Sequence, residues 1–331
     1  MAALFAKNQN GVSRKPKGKK VLAWGTYLFV LLMLLYPVGH FLITWIGVNF
    51  NSLLLVFQRS DQTGKLYWVM QDWNHDFDSF FPTLFSNFTQ LFESFQDKTQ
   101  NTIYQNSLVY LVISCFVTLP ISLFFSYFVF KKIWGSTFYK IIFFIPSIFP
   151  LFILCMVYAY SLAPEGLFAG ILNWMKIDPG NFFVNLKIDN TSRQWFVWIF
   201  MVWSGIGYDV ILLTAGMSRI PREILESCKM DGVNPFREFF RIIVPLCWPT
   251  ITTLFVFGMM SVFSIAFQPF FLTGDATDIY TKTIGEYIYF TSKGGNYTDV
   301  ATLGLFCSLI GAPIICATRW GLNKAFANVG F

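Results

Sequence analysis

The chain has 331 residues, of which 55% are hydrophobic, 20% aromatic and only 13% charged, and its net charge is +6. Forty Phe and a mean hydropathy of +0.53 exclude an ordinary soluble domain and point to a polytopic membrane protein. The positive balance then reads as a membrane-orientation signal, and nothing in it calls for nucleic acid as a partner.

Residues 1–20 are polar and basic, with Lys7, Arg14, Lys15, Lys17, Lys19 and Lys20, and read as a cytoplasmic tail. The apolar run 21–46 is too long for a signal-peptide core and no small-x-small site closes it, so it is expected to be a first, uncleaved span. Residues 47–103 carry Asp61, Asp72, Asp76, Asp78, Glu93 and Asp97 among many aromatics. That mixture is too polar to span and too aromatic for a plain linker, and predicts a small extracytoplasmic cap. Asn87-Phe88-Thr89 in it matches a glycosylation sequon, a triplet common by chance.

Five further spans are expected at 104–130, 141–162, 194–217, 243–272 and 302–320. Residues 104–320 are thus a core of five transmembrane helices ahead of a short 321–331 tail. Pro146 and Pro150 should kink the second of these five, which membrane helices tolerate when neighbours satisfy the freed carbonyls. Residues 163–193 and 273–298 read as outer loops. The expected fold class is an all-α membrane protein with six transmembrane helices and both termini on one side. Sixteen of the 24 Lys and Arg fall in the tails, the 131–140 loop and the 219–241 stretch, against eight in the longer opposite loops. The positive-inside rule therefore places both termini and the 218–242 loop in the cytoplasm.

Enzyme chemistry is poorly supplied. The six cysteines have no C-x-x-C spacing and read as small apolar packing residues rather than metal ligands or disulfides. His40 and His75 are the only histidines, so no metal centre is expected. Gly64-Lys65 and Gly18-Lys19 both lack the rest of a phosphate-binding loop, so any ATP is bound elsewhere than on this chain and no cofactor is expected. The cluster Asp72, His75, Asp76 and Asp78 is the one foothold for a membrane enzyme, and such acidic loops usually serve only to be solvated.

Polar groups inside spans are more telling. Asp209 is the one carboxylate well inside an apolar run, with Tyr208 beside it and Ser204 near it. Such a group lines a polar path or makes an interhelical hydrogen bond. Ser261, Ser264 and Gln268 recur at i, i+3 and i+7, one stripe of a helix. The bland reading is that the serines only let backbones approach. Trp203, Phe263 and Phe267 could supply aromatic faces beside these polar groups. Together they form a candidate substrate path.

The most charged stretch of the second half is 218–251. Pro221 suits the start of a helix through Arg222, Glu223, Ile224, Leu225, Glu226, Ser227, Cys228 and Lys229. Asp231-Gly232 should end it, Gly supplying a positive φ. Asn234-Pro235 should begin a second short helix running toward Val244-Pro245 and Pro249. On physics alone this is equally an amphipathic segment resting on a membrane surface.

The order Glu226-Ser227-Cys228, Asp231-Gly232 and Val244-Pro245-Leu246 resembles the EAA motif of binding-protein-dependent ABC importer permeases, and IP-x4-E-x4-DG-x12-P resembles their carbohydrate branch, the MalF-like subunits. Ser227 and Cys228 stand where that family usually has two alanines, and Val244 where it usually has Leu. The resemblance implies a type I importer permease that takes up a carbohydrate, expected to be an oligosaccharide, delivered by an extracytoplasmic binding protein. It implies a second permease subunit as partner and an ATPase dimer gripping the EAA helix. It makes Arg222, Ile224, Leu225, Glu226, Ser227, Cys228, Asp231, Gly232 and Pro245 the ATPase-coupling residues. Ile224, Leu225 and Cys228 would form the apolar docking face. Two rivals remain at this point, a secondary transporter and an importer permease for a non-sugar solute such as a glycerol phosphate. The first predicts an internal repeat, and none is found. The second predicts a basic lining, and no Lys or Arg lies well inside a span.

Overall fold

The computed structural model describes residues 24–61, 64–177, 190–274 and 278–325. Helices dominate. The first, α1 (Trp24–Leu55), passes through a π-helical turn at Phe41–Ile46 and has no buried residue. It runs past Ile46, where the expected span ends. The polar residues beyond that point bond back into the helix, Asn49 Nδ2 donating to the Trp45 carbonyl at 2.5 Å and Ser52 Oγ to the Val48 carbonyl at 3.0 Å. The chain divides after Leu54 into two compact units, and the rest of the description concerns the second. The basic tail expected at 1–20 lies outside the described residues, as does most of the 321–331 tail.

The second unit opens with a small antiparallel pair, β1 (Gln58–Ser60) and β2 (Leu66–Trp68), in register Gln58 to Trp68. This is the one sheet among the described residues of an otherwise helical protein. Two short helices follow, α2 (Phe77–Leu84) and α3 (Ser86–Ser94). Asn87 of the sequon is buried, and its Nδ2 donates to the carbonyls of Val56 at 2.7 Å and Gln58 at 2.9 Å. Its amide is a structural pin for the strand pair, placed where a glycan could not be carried.

The membrane core consists of α4 (Lys98–Phe130), α5 (Ser136–Ile148), α6 (Leu151–Ser161), α8 (Asn190–Met217), α10 (Pro235–Leu246), α11 (Trp248–Ser264) and α14 (Tyr297–Ala325), with α7 (Leu167–Trp174) after α6 and α9 (Arg222–Met230) after α8. Two further short helices are α12 (Phe267–Thr273) and α13 (Ile284–Lys293). Helices α1, α4, α8 and α14 are each long and apolar enough to cross a membrane. The pairs α5–α6 and α10–α11 bend by 110° and 75°, and counting each as one broken span brings the number up to six.

Prolines set the breaks. Pro150 has no N–H to offer the carbonyl of Pro146, four residues back, and the chain turns at Phe149-Pro150. The expected 243–272 span is likewise interrupted, at Cys247 and again at Ile265-Ala266. In a helix the Ile265 carbonyl would accept from residue 269, which is proline. Thr283 takes that place, its Oγ1 donating to the Ile265 carbonyl at 2.5 Å. The same oxygen accepts from the Glu286 N–H at 3.2 Å and so caps α13. Both segments read as outer loops thus contain helices, α7 in 163–193 and α13 in 273–298.

Helix α8 is the centre of the bundle. It packs mainly on α4 and α5, and its glycines permit close approach. A Cβ at Gly207 would sit 1.9 Å from the Phe143 carbonyl oxygen of α5, and one at Gly216 would sit 2.8 Å from Thr250 Oγ1 of α11. Around these contacts lie Leu213, Met217, Ile243 and Leu254 toward one end and Tyr110, Cys155, Val197 and Phe200 toward the other. The segment before α13 is sewn to α4. Asn106 Nδ2 donates to the Ile279 carbonyl at 3.0 Å, Tyr110 Oη donates to the Thr281 carbonyl at 3.2 Å, and the Ile284 N–H donates to Ser107 Oγ at 2.8 Å. Asp278 pairs with Arg193 at 3.1 Å, its carboxylate 2% exposed.

Candidate functional site

Two features carry function, a polar cavity within the bundle and the loop between α8 and α11. The cavity has a volume of about 390 Å³ and is walled by α4, α5, α6, α8, α11 and the break before α12. It gathers Ser204, Tyr208 and Asp209 from α8, Ser261 from α11 and Gln268 from α12. Ser261 and Gln268 were expected on one continuous helical stripe. The break at Ile265-Ala266 separates them onto two helices, yet both face the same space. The side chain of Ser264, the third member of that stripe, lies outside the described residues.

The three aromatic candidates fall elsewhere. Trp203 lines a separate apolar groove on the outside of α8 and stacks on Tyr158 with centroids 5.9 Å apart. Phe263 packs beside Gly311 of α14, and Phe267 stacks on Phe271. Phe149, Phe257, Tyr110 and Tyr208 supply the cavity's aromatic surface instead. Ser114 and Thr118 of α4 also line it. These two were legible, since two hydroxyls four residues apart share a helical face. Asp209 makes none of the ion pairs found among the described residues, and the cavity lining holds neither Lys nor Arg.

The loop is a compact helix–turn–helix. Pro221, with ψ 137°, is the residue before α9 rather than its first turn. Glu223 lies in the first turn and Lys229 in the last, both matched to the helix dipole. The C-terminus closes in a Schellman arrangement: the Val233 N–H donates to the Cys228 carbonyl and the Gly232 N–H to the Lys229 carbonyl, each at 3.1 Å. Gly232 has φ +63°, the left-handed value that favours glycine. Asp231 is the capping residue before it. Asn234 Oδ1 then accepts from the Phe236 N–H at 3.2 Å and starts α10, with Pro235 in its first turn and Pro245 near its end.

The apolar face expected to be offered outward is turned inward. Cys228 is buried, Ile224 is half-buried, and Leu225 packs against the cluster containing Leu213, Met217 and Ile220. The reason is amphipathicity itself, for the bundle end is the nearest surface that can cover those side chains. Arg222, Glu226 and Ser227 are exposed, and the most exposed apolar residues of the loop are Met230 at 87% and Phe236 at 71%.

One anchoring group was missed. Glu238 is buried beneath the loop, where Lys131 Nζ lies 2.5 Å from its Oε1 and Tyr127 Oη donates to its Oε2 at 3.4 Å. This ties α10 to the end of α4. A charged residue between Arg237 and Phe239 gives no sign of burial in the sequence, because its partner is 107 residues away.

Broken spans, a polar cavity at the breaks and a protruding capped loop define a membrane protein built to pass a solute rather than a buried catalytic centre. The chain belongs to the family of binding-protein-dependent transport system inner membrane components, whose model matches residues 104–323. Among its relatives is the diacetylchitobiose uptake system permease protein NgcF of Streptomyces coelicolor, 24% identical over 266 residues, covering 75% of this chain and 72% of that protein. Another, named a probable ABC transporter permease protein, comes from Mycoplasma pneumoniae and is 28% identical over 219 residues, covering 61% and 62%. The chain thus spans 62% and 72% of the length of these two curated relatives. The fold matches a bacterial alginate ABC transporter crystallised with an alginate pentasaccharide-bound periplasmic protein, with TM-score 0.72 and 18% identity, covering 93% of this chain and 98% of that one.

Proposed function

We propose that the chain is a permease subunit of an ATP-driven ABC importer that takes up a carbohydrate delivered by an extracytoplasmic binding protein. The observation that carries this is the family match over 104–323, which includes both the cavity and the capped loop. The names of the relatives support a sugar, diacetylchitobiose for NgcF and alginate for the transporter of like fold. The cavity gives the same reading from chemistry. Hydroxyls, an amide and a carboxyl stand beside aromatic rings, the mixture that hydrogen-bonds a sugar's edge and covers its C–H face. A lining with one carboxyl and no cation favours a neutral sugar over a phosphorylated or acidic one.

In this reading Ser204, Tyr208, Asp209, Ser261 and Gln268 hold the sugar in passage. The 218–242 loop faces the cytoplasm with both termini, following the distribution of Lys and Arg. There Glu226, Met230 and Phe236 meet a separate ATPase subunit, which binds the ATP. A second permease completes the path.

The test is purification of the chain from gently solubilised membranes, with ATPase assays on whatever accompanies it. Recovery of a second permease and an ATPase, with hydrolysis raised by a sugar-loaded binding protein, is expected. A chain that transports alone after reconstitution without ATP would overturn the proposal.

A further inference from the structure

The loop 131–135 between α4 and α5, with the first turn of α5 after it, sits where two dissimilar hollows meet. The first is a cavity of about 820 Å³ between this loop, the end of α8 and α9. Its lining holds Lys131, Lys132, Lys140, Arg222 and Lys229, with Glu226 the only carboxylate. Lys131 is taken by Glu238. None of the other four cations appears in an ion pair among the described residues. The hydroxyls of Ser136 and Thr137 belong to the same lining.

The second hollow is a groove of about 270 Å³ with wholly apolar walls, formed by Phe125, Phe128, Val129, Ile133, Tyr139 and Phe143. Val129 lines both, and Ile133 and Tyr139 are the chain neighbours of Lys132 and Lys140. Trp134 on the loop, 94% exposed, and Phe138 in the first turn of α5, 63% exposed, flank them. Aromatic side chains in such a setting mark the level where hydrocarbon gives way to headgroups.

A free anion would use the cavity and leave the groove empty, and so would an acidic protein surface. One ligand chemistry fits both: a phosphodiester continuous with a hydrocarbon chain. We propose that this paired site binds an anionic phospholipid, its headgroup among Lys132, Lys140, Arg222 and Lys229 and an acyl chain against Phe125 and Phe143. Because Arg222 and Lys229 lie on α9 while Lys132 lies on the α4–α5 loop and Lys140 near the start of α5, the headgroup bridges α9 and the α4–α5 region. The lipid thereby holds α9 to the bundle. The binding claim rests on these residues alone. Only its consequence for transport rests on the proposed function.

The experiment is native mass spectrometry of the full-length chain in mild detergent, titrated with phosphatidylglycerol and with phosphatidylcholine of identical acyl chains. Phosphatidylglycerol should be retained preferentially. The double variant Lys132→Gln, Lys140→Gln should weaken that retention by on the order of 30-fold, while phosphatidylcholine binding stays unchanged. Ile133→Asp, which places a carboxylate in the groove, should weaken retention of both lipids. Inorganic phosphate and chain-free glycerophosphoglycerol should fail to displace the lipid at millimolar concentration. Equal retention of the two lipids, an unaffected double variant, or displacement by phosphate alone would each overturn the proposal. The last would make the cavity a simple anion site. Protection of Lys132 from acylation by a co-purifying ATPase, with no lipid preference, would assign it to that protein instead. Lipid retention is read without any transport assay, so its failure leaves the proposed function standing.

Discussion

The loop and the cavity are assembled in opposite ways. Between Pro221 and Asn234 the backbone is set locally: Glu223 and Lys229 at the helix ends, Gly232 at positive φ, Asn234 capping the next helix. The cavity is assembled from α4, α5, α6, α8, α11 and α12, whose lining residues are spread from Tyr110 to Gln268. The loop therefore behaves as a module whose shape survives changes elsewhere. The cavity exists only while the helix crossings that surround it hold. Variants at the two places should fail differently.

The largest effect is expected at a crossing. Gly207→Ala brings a methyl group to 1.9 Å from the Phe143 carbonyl, which is backbone and cannot step aside. Overpacking of this kind costs about 1–3 kcal/mol or more, and thermal melts with fluorescence-detected size exclusion should show little folded protein. Gly232→Val comes next. Strain at φ +63° costs about 1–3 kcal/mol, so sugar uptake should fall by about tenfold or more while the protein persists in the membrane at normal levels. Normal uptake by a well-expressed variant would remove the loop from the transport cycle.

Asp209→Asn should act on the other side of the comparison. Loss of a charged hydrogen-bonding partner is worth about 1.5–3 kcal/mol, so the sugar concentration for half-maximal uptake should rise roughly tenfold. ATPase stimulation at saturating sugar should be retained. If stimulation vanishes with affinity unchanged, Asp209 belongs to the bundle's packing and not to the path. Glu238→Gln removes the charge that Lys131 faces beneath the loop and should lower stability by about 1–2 kcal/mol, read as a shifted melt with coupling partly kept. Cys228→Ala, a small change at a buried contact, should leave uptake within about twofold of wild type. A larger loss would show that the inward face of α9 is fitted to a cysteine.

The same contrast governs what can be read from residues alone. The loop was legible down to the glycine, because helix signals act over four residues. Its outward face was not, since the pattern gives an apolar stripe without saying which surface covers it. Ser204, Tyr208, Asp209, Ser261 and Gln268 were legible as polar groups in apolar runs, although the helix carrying the last two is broken. Trp203, Phe263 and Phe267 sit near them in sequence, but they point into other packings. Helix α13 carried a readable sign in Thr283-x-x-Glu286, a capping pattern inside a stretch taken for loop. Glu238 carried none.

The prolines that break the two spans have an evolutionary consequence. Pro146 and Ile265 both line the cavity, and in a continuous helix each carbonyl would look to a proline, Pro150 or Pro269, that has no N–H to give. The breaks so made belong to the main chain, which replacement of a polar lining side chain leaves in place. A lineage can therefore exchange Ser114, Ser204 or Gln268 to follow a new solute while the cavity keeps its walls. Pro150 and Pro269 are the positions such drift must leave alone, because returning an N–H there invites the helix to close and the cavity to lose its wall.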